Sequence, residues 1–407
     1  MHSNPMATDS AQEPAVNPSS TQRATARCRA WILGDSVVPF LATRCVLFLV
    51  AWLSDMFVAN PRYPLAQAAR QGWQFTPLRW LDMWGRWDSG WYMNIALHGY
   101  SSSPAYESVQ SSIAFFPLFP MAVRAVLWVL PSSMQNQSAA LLVGVGLANA
   151  ALLVALVAIR QLVVQFADEH AARRAVIYVV TFPTGFFLSC FYPESLFLAM
   201  SALACLLATR NRWLMASFVG AMAALSRPHG MTILLPLLWL YLSSREWRVR
   251  RVRWDILYLL LIPAALAGFL LLVYPLTRNL LAPFGAQAAW HRHLSSPWST
   301  LTSSLYFEGA ITRIQQVLAV TVFVFSLWAL TRLPSRGYGL YALVITIPSL
   351  MSGTLMGIGR HAAVVFPLYI MLAVMSKRDQ VHHILQAMNL TVQVLFMAAW
   401  IRFYPVV

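Results

Sequence analysis

About 11 long apolar segments constrain the fold of this chain more than any other feature of its sequence. Of its 407 residues, 58% are hydrophobic and 11% are charged, and a soluble core of this size does not bury that much apolar surface. A hydrocarbon layer needs roughly 20 apolar residues per crossing helix. No closed alternation of strands is visible, so we expect an all-α polytopic membrane protein. The predicted segments are 36–58, 139–164, 176–191, 196–209, 213–227, 231–244, 255–277, 312–331, 338–356, 361–376 and 383–402.

The basic residues lie mostly in the short connections between these segments. In a soluble protein a net charge of +15 would suggest a nucleic-acid partner, but this spacing is the positive-inside pattern of membrane proteins. We therefore expect no nucleic-acid partner, an amino terminus in the cytoplasm and a long first extracytoplasmic loop at about 59–137. Residues 1–30 are polar and are predicted to be a disordered cytoplasmic tail, followed by a single transmembrane domain at 31–407.

One further apolar stretch, 113–130, would invert the topology of everything after it if it crossed the membrane. The five arginines between 245 and 253 would then face outward, against the charge pattern. Arg124 would also sit at membrane depth, which is costly. We therefore predict an interfacial or re-entrant segment here.

The sequence RWDSGWYMNIALHGY, at 86–100, concentrates polar and aromatic residues in the predicted outer loop. If residues 82–97 form a helix, Trp84, Asp88 and Trp91 share one face and place a carboxylate between two flat rings. Such a face suits a sugar, whose hydroxyls need hydrogen bonds and whose C–H surfaces pack on rings. The alternative is an amphipathic helix at the membrane surface, with its tryptophans in the aromatic belt.

This block resembles a known family. WDSGWYMNIALHGY followed by AFFPLFP, at 114–120, is similar to the first-loop signature of the PIG-V-type mannosyltransferases and their bacterial relatives. The resemblance implies a GT-C-like bundle and a polyprenyl-phosphate sugar donor, and by motif position it implies that Asp88 is the catalytic base. It also implies a catalytic contribution from Glu194, although the helix dipole alone favours an acidic residue at a helix start. The likeness extends to 182–197, 224–230, 286–298 and 359–368.

Two arginines are candidates for binding the donor phosphate. Negative charge develops on a departing phosphate and needs fixed positive groups. Arg227, in SRPHG, and Arg360, in GRHAAVV, lie at the predicted outer ends of helices, where arginine can bind phosphate with two parallel hydrogen bonds. The alternative is that both are interfacial anchors. We expect the neighbouring His229 and His361 to join this donor-phosphate site.

The closely spaced histidines raise the question of a metal site. A metal site needs three or four converging ligands, and His291 and His293 alone do not supply them. A divalent metal is therefore left open but not indicated, and no other cofactor is expected. We expect contacts to the sugar or acceptor from Trp87, Trp91, Tyr92, His98, Tyr100, Trp290 and His291.

Together these features predict an inverting α-mannosyltransferase. Its expected partners are a polyprenyl-phosphate mannose donor, a lipid-linked or secreted glycan acceptor and membrane lipids. The resemblance, rather than the residues themselves, selects mannose over another hexose. The rival function is a transporter or flippase for a lipid-linked sugar, but no half-to-half repeat is visible. The short basic connections suit a bacterial inner membrane, and the endoplasmic reticulum would be the equivalent place in a eukaryote.

Overall fold

The structure is a computed structural model, and it describes residues 31–58, 74–101, 110–302, 309–404 and 406. The predicted disordered tail at 1–30 lies outside the described residues, as do parts of the predicted first outer loop. Among the described residues there are helices, turns and connections but no β-strand. The predicted all-α class is therefore confirmed.

The main helices follow the predicted apolar segments. Each of the eleven segments contains at least one helix, and two four-residue helices, Arg79–Asp82 and Ala282–Gly285, lie in the connections. The main helices are α1 (Val38–Phe57), α2 (Ser89–His98), α3 (Leu118–Val129), α4 (Gln137–Val164), α5 (Glu169–Thr181), α6 (Glu194–Thr209), α7 (Trp213–Ala224), α8 (Leu234–Ser244), α9 (Leu261–Thr277), α10 (Pro297–Thr302), α11 (Ala310–Arg332), α12 (Arg336–Leu350), α13 (Ile358–Ala362), α14 (Phe366–Met375) and α15 (Asp379–Ile401).

Five helices in the described part of the chain are long and apolar enough to cross a membrane, and the chain is an integral membrane protein. The five are Ile32–Phe57, Gln137–Val164, Trp254–Thr277, Ile311–Arg332 and Asp379–Ile401. Other predicted spans are interrupted because prolines stop their helices. Helix α5 ends at Thr181, two residues before Pro183, and α7 ends at Ala224, shortly before Pro228. These breaks expose backbone and polar side chains at helix ends, and the candidate site lies there.

The stretch at 113–130 forms a 3₁₀ turn, Ser112–Ala114, and helix α3. The 12 residues of α3 span about 18 Å, which is shorter than the roughly 30 Å hydrocarbon layer. Helix α3 packs against α2 and α4. Its length agrees with a segment that does not cross the membrane, and its position relative to the lipid stays a prediction.

Helix α4 is the centre of the bundle and packs against α3, α5 and α6. The face that it buries is rich in small residues, including Gly144, Ala148 and Ala155. Small residues let helix backbones approach closely in membranes. Gly144 lies directly against the ring of Phe191, and a Cβ added at Gly144 would overlap that ring.

We expect Gly144→Ala to lower both stability and turnover. Overpacking a filled position costs about 1 to 3 kcal/mol, and Phe191 also contacts the turn that carries Asp88, as described below. Gly146→Ala is the matched control on the same helix, because a Cβ there meets nothing within 4 Å. Thermal unfolding in one detergent compares the two variants, and equal melting temperatures would contradict the proposed packing.

Candidate active site

Asp88 lies in a sharp turn before helix α2 rather than inside a helix. The continuous helix over 82–97, considered as one possibility, does not form, because the chain breaks between Arg79–Asp82 and the start of α2 at Ser89. Trp87 has a φ of 51°, a conformation that is uncommon for a residue with a side chain. Asp88 is the N-cap residue of α2, but its side chain makes no capping hydrogen bond. Its carboxylate is therefore free to bind groups outside its own helix.

The buried side chain of Arg86 holds this turn in place. Its guanidinium pairs with the Asp82 carboxylate at 2.9 Å and donates to the carbonyl oxygen of Ile401 at 3.2 Å. It also lies over the ring of Phe403, 4.6 Å from the ring centre. These contacts fix the backbone two residues before Asp88.

Three hydrogen bonds join the Asp88 turn to the segment that precedes α6. The Phe191 amide donates to the carbonyl oxygen of Trp84 at 2.9 Å. The Tyr192 hydroxyl donates to the carbonyl oxygen of Arg86 at 2.6 Å, and the Ser89 hydroxyl donates to the carbonyl oxygen of Phe191 at 3.3 Å. The same segment continues into Glu194, the first residue of α6. These hydrogen bonds thus hold the backbone that carries Asp88 beside the backbone that carries Glu194.

Arg360 bridges the two carboxylates. Its Nη1 donates to Oδ2 of Asp88 at 2.6 Å, and its Nε donates to Oε1 of Glu194, also at 2.6 Å. The guanidinium lies 4.2 Å from the centre of the Tyr192 ring. The side-chain exposed fractions are 30% for Asp88, 14% for Arg360 and 0% for Glu194. Asp88 therefore faces the open side of the site, and Glu194 lies behind the arginine.

Arg227 adds a second guanidinium to this group. Its Nη1 lies 3.6 Å from Oε1 of Glu194 and 3.4 Å from the carbonyl oxygen of Arg360, to which it donates. Helix α13, which carries Arg360, is tied to the turn after α5 because the Thr184 hydroxyl donates to the carbonyl oxygen of Gly359 at 2.8 Å. The four predicted residues Asp88, Glu194, Arg227 and Arg360 therefore meet in one cluster.

The two predicted phosphate-site histidines lie beside the arginines. The rings of His229 and His361 are 4.7 Å apart and close to perpendicular, and Nδ1 of His361 is hydrogen bonded to the Ser349 hydroxyl. Burial lowers the pKa of His229 well below its ordinary value of 6.5, and the neighbouring charges of Arg227 and Arg292 lower this pKa further. At neutral pH His229 is therefore uncharged in the folded protein.

This pKa predicts how acid affects stability. The unfolded state binds a proton at His229 near pH 6.5 and the folded state does not, so stability is complete above pH 6.5 and falls as the pH drops below it. We expect His229→Gln to melt with a weaker pH dependence than the wild type. The same slope in both proteins would refute this assignment.

Aromatic rings form a wall one helical turn from Asp88. Trp91 stacks on Phe115 with ring centres 5.7 Å apart, and Trp290 packs edge-on against both, at 5.9 Å and 5.4 Å. Trp87, on the other side of Asp88, packs edge-on against Phe403. Trp87 and Trp91 thus lie within three residues of Asp88 along the chain, and Trp290 packs on Trp91.

The other predicted ring contacts are placed differently. Tyr92 is buried, with its ring edge-on to Phe115, Phe119 and Tyr192. His291 has a φ of 58° and is exposed. Tyr92 nevertheless interacts electrostatically with Arg360, Glu194, Arg227 and Asp88, so its phenol lies beside the arginine cluster.

His98 and Tyr100 are not brought into the cluster. His98 ends α2, roughly 15 Å along the helix from Asp88, and lines a separate cavity of about 310 Å³ together with Arg124 and Trp128. The Tyr100 hydroxyl donates to the carbonyl oxygen of Phe115 at 2.8 Å. In the structure Tyr100 therefore holds the AFFPLFP segment rather than facing Asp88.

Sequence reasoning missed three residues that build this site: Arg86, Tyr192 and Arg292. The first two position the Asp88 turn and the Arg360 guanidinium. Arg292 lies between the two histidines that drew attention as metal ligands, and its Nη2 donates to the carbonyl oxygen of Met356 at 3.4 Å. Across the residues that the structure describes, no group of three or more His, Cys, Asp and Glu side chains is placed to hold a metal ion.

Comparison with known proteins gave one family match and several remote structural similarities. Residues 76–239 match the family model described as mannosyltransferase (PIG-V), and no curated protein matches the sequence. An oligosaccharyltransferase of Archaeoglobus fulgidus, solved with a tethered acceptor peptide, is 14% identical over 93% of this chain and has a TM-score of 0.46. A structure of that archaeal enzyme with an inhibitory peptide and a dolichol-phosphate is also 14% identical, over 90% of this chain, with a TM-score of 0.44. The chain spans 55% of the length of each of these two structures.

The family match confirms the resemblance inferred from the first-loop signature. It includes Asp88, Glu194 and Arg227, whereas Arg292 and Arg360 lie beyond it. The match covers residues 76–239, fewer than half of the 407 residues, and over that range the chain is similar to the mannosyltransferase (PIG-V) family.

Proposed function

We propose that this protein is an inverting α-mannosyltransferase that takes mannose from a polyprenyl-phosphate donor. The observation that carries the proposal is the cluster in which Arg360 joins the half-buried Asp88 to the buried Glu194. A partly exposed carboxylate beside several guanidiniums supplies both a base and a binding site for an anion. The family match supports mannose as the sugar.

In the proposed reaction, Asp88 takes the proton from an acceptor hydroxyl. The acceptor oxygen forms a bond to the anomeric carbon of mannose, and the bond from that carbon to the phosphate oxygen breaks on the opposite face. The polyprenyl phosphate leaves with the electron pair of that bond, and a β-linked donor gives an α-linked product. A phosphate leaving group needs no proton, so a second catalytic carboxyl is not required.

Arg227 and Arg360 are the proposed phosphate ligands. Arginine binds phosphate through charge-assisted hydrogen bonds that strengthen as negative charge develops. Glu194 is fully buried behind Arg360, so we assign it a positioning role on that guanidinium rather than contact with the sugar. His229 and His361 border the same pocket as neutral polar groups, and Trp87, Trp91 and Trp290 are the proposed surfaces for the sugar ring.

We propose that the protein lies in a bacterial inner membrane. Its amino terminus faces the cytoplasm, and the Asp88 cluster lies on the outer face. The arginine-rich connection at 245–253 is the strongest topological marker, because basic loops stay cytoplasmic. A reporter fused after Arg253 is expected to read as cytoplasmic. An extracytoplasmic reading would invert the assignment and place the site on the wrong side for this donor.

The test of the function uses purified protein in lipid nanodiscs with labelled polyprenyl-phosphate mannose and a lipid-linked mannoside acceptor. We expect release of polyprenyl phosphate and formation of an α-linked product that an α-mannosidase cleaves. A transporter or flippase, the alternative, would instead move the labelled donor across liposomes with no cleavage of the sugar. Donor movement without product would favour that alternative.

A further inference from the structure

The segment 286–296 crosses from the aromatic wall to the arginine cluster. Trp290 packs on Trp91 and Phe115, and two residues later the Arg292 guanidinium contacts the carbonyl oxygen of Met356. Between them His291 has a φ of 58°, and this left-handed residue redirects the chain. Met356 lies four residues before Arg360, so the segment brings Arg292 to the helix that carries the bridging arginine.

Backbone contacts hold this segment in place independently of the Arg292 side chain. The His293 amide donates to the carbonyl oxygen of Ser352 at 3.1 Å, and the Ser295 amide donates to the carbonyl oxygen of Met351 at 3.0 Å. The His293 ring covers Gly353, where an added Cβ would overlap it. The position of the segment therefore does not depend on the guanidinium.

Arg292 has no carboxylate of its own among the ion pairs that the described residues form. Its Nε is buried without a hydrogen-bond partner in the described chain, and so are Oε2 of Glu194 and Nε2 of His229. Buried polar atoms in native proteins almost always bind a protein group, water or a ligand. Nε of Arg292 is therefore available to donate to a polar ligand.

The charges of the cluster indicate the sign of that ligand. Arg227, Arg292 and Arg360 carry three positive charges against the two negative charges of Asp88 and Glu194, which leaves one positive charge in excess. Burial lowers the pKa of Arg292 to about 10, Asp88 raises this pKa, and Arg360 and Arg227 lower it. Arg292 is thus still protonated at neutral pH, and its side chain is half-buried. A monoanion would restore neutrality.

We propose that Arg292 is the third guanidinium of the donor-phosphate site and that it binds the leaving polyprenyl phosphate more strongly than it binds the donor. This inference rests on the proposed function. The donor is a phosphodiester with one negative charge, and the departing monoester carries about 1.5 to 2 negative charges. An interaction that strengthens as the bond to the sugar breaks lowers the barrier rather than only improving binding.

The test compares Arg292→Gln and Arg292→Lys with Arg278→Gln, a matched control at an exposed arginine of the same connection. The first readout is binding of a prenyl monophosphate to the protein in nanodiscs, with the corresponding prenyl alcohol as the control ligand. We expect Arg292→Gln to raise the Kd for the monophosphate about 10- to 100-fold and to leave the Kd for the alcohol unchanged. The Kd of Arg292→Lys for the monophosphate should lie between the values for the wild type and Arg292→Gln, because lysine keeps the charge but cannot form the two parallel hydrogen bonds of arginine. Arg278→Gln should match the wild type.

The second readout is turnover with labelled polyprenyl-phosphate mannose. We expect Arg292→Gln to lower kcat by about 10- to 100-fold with a smaller change in KM for the donor. Wild-type values of Kd and kcat in a folded Arg292→Gln protein would overturn the inference and leave the proposed function intact. A third outcome is that the wild type binds the monophosphate, Arg292→Gln does not, and the wild type transfers no mannose. This result would support the anion site and refute the transferase. A wild type that neither binds the monophosphate nor transfers mannose would refute both.

Discussion

Asp88→Asn is expected to lower mannosyl transfer by about 10² to 10⁴-fold, the usual contribution of a general base. Asparagine has the same shape and keeps an oxygen that accepts the hydrogen bond from Arg360, but it takes no proton from an acceptor. Arg360 also retains its hydrogen bond to Glu194 at 2.6 Å. The loss should therefore appear in kcat, while the melting temperature and the binding of prenyl monophosphate stay close to wild type.

Asp55→Asn is the control for this substitution. Asp55 pairs with Arg79 at 2.9 Å and with Arg402 at 3.3 Å, and none of these residues belongs to the Asp88 cluster. We expect Asp55→Asn to lower stability, because it removes the charge that pairs with the buried Arg402, and to keep turnover near wild type. If Asp88→Asn and Asp55→Asn had the same rate as the wild type, the role assigned to Asp88 would be wrong.

Arg360→Gln is expected to lower stability by about 3 kcal/mol, because the buried Glu194 then keeps only its longer ion pair with Arg227. Glu194 has no exposed surface, and after the substitution its nearest guanidinium is Arg227 at 3.6 Å. Turnover should be lost as well, since the phosphate site loses its central arginine. The double variant Arg360→Gln with Glu194→Gln removes the stranded charge. We expect it to be more stable than the single variant and equally inactive.

Thermal unfolding in a single detergent measures this difference. Arg79→Gln is the comparison, because Arg79 also forms an ion pair but its side chain is 56% exposed, and exposed pairs contribute only about 0 to 1 kcal/mol. If Arg360→Gln unfolds at the same temperature as Arg79→Gln, the ion pair between Arg360 and Glu194 does not stabilise the protein.

The residues at the centre of the site could be predicted because the expected outer-face topology and the chemistry of the side chains indicated the same positions. Asp88 and Arg360 are 272 residues apart, yet the sequence analysis placed Asp88 in the first outer loop and Arg360 at the outer end of an apolar segment, where charged side chains avoid lipid. Arginine and carboxylate in that position pair readily, so their meeting follows from membrane burial and charge. The same argument placed Arg227.

Other parts of the site depended on contacts that no local pattern shows. The break between Arg79–Asp82 and α2 arises because Gly85 packs closely on Phe75 and Arg86 binds the distant Ile401 carbonyl. The helical spacing of Trp84, Asp88 and Trp91 therefore predicted a face that does not exist. Arg292 was missed because its role depends on the pairing of its segment with residues 351–356, which lie some sixty positions later in the chain.

The most direct test of the central claim is a structure of Asp88→Asn with polyprenyl-phosphate mannose bound. The account predicts the phosphate within hydrogen-bonding distance of the Arg227 and Arg360 guanidiniums. It also predicts the mannose ring beside the aromatic wall and the side chain of residue 88 facing the anomeric carbon on the side opposite the phosphate. A donor whose phosphate lies elsewhere, for example in the cavity beside His98 and Arg124, with residue 88 remote from the sugar, would contradict it.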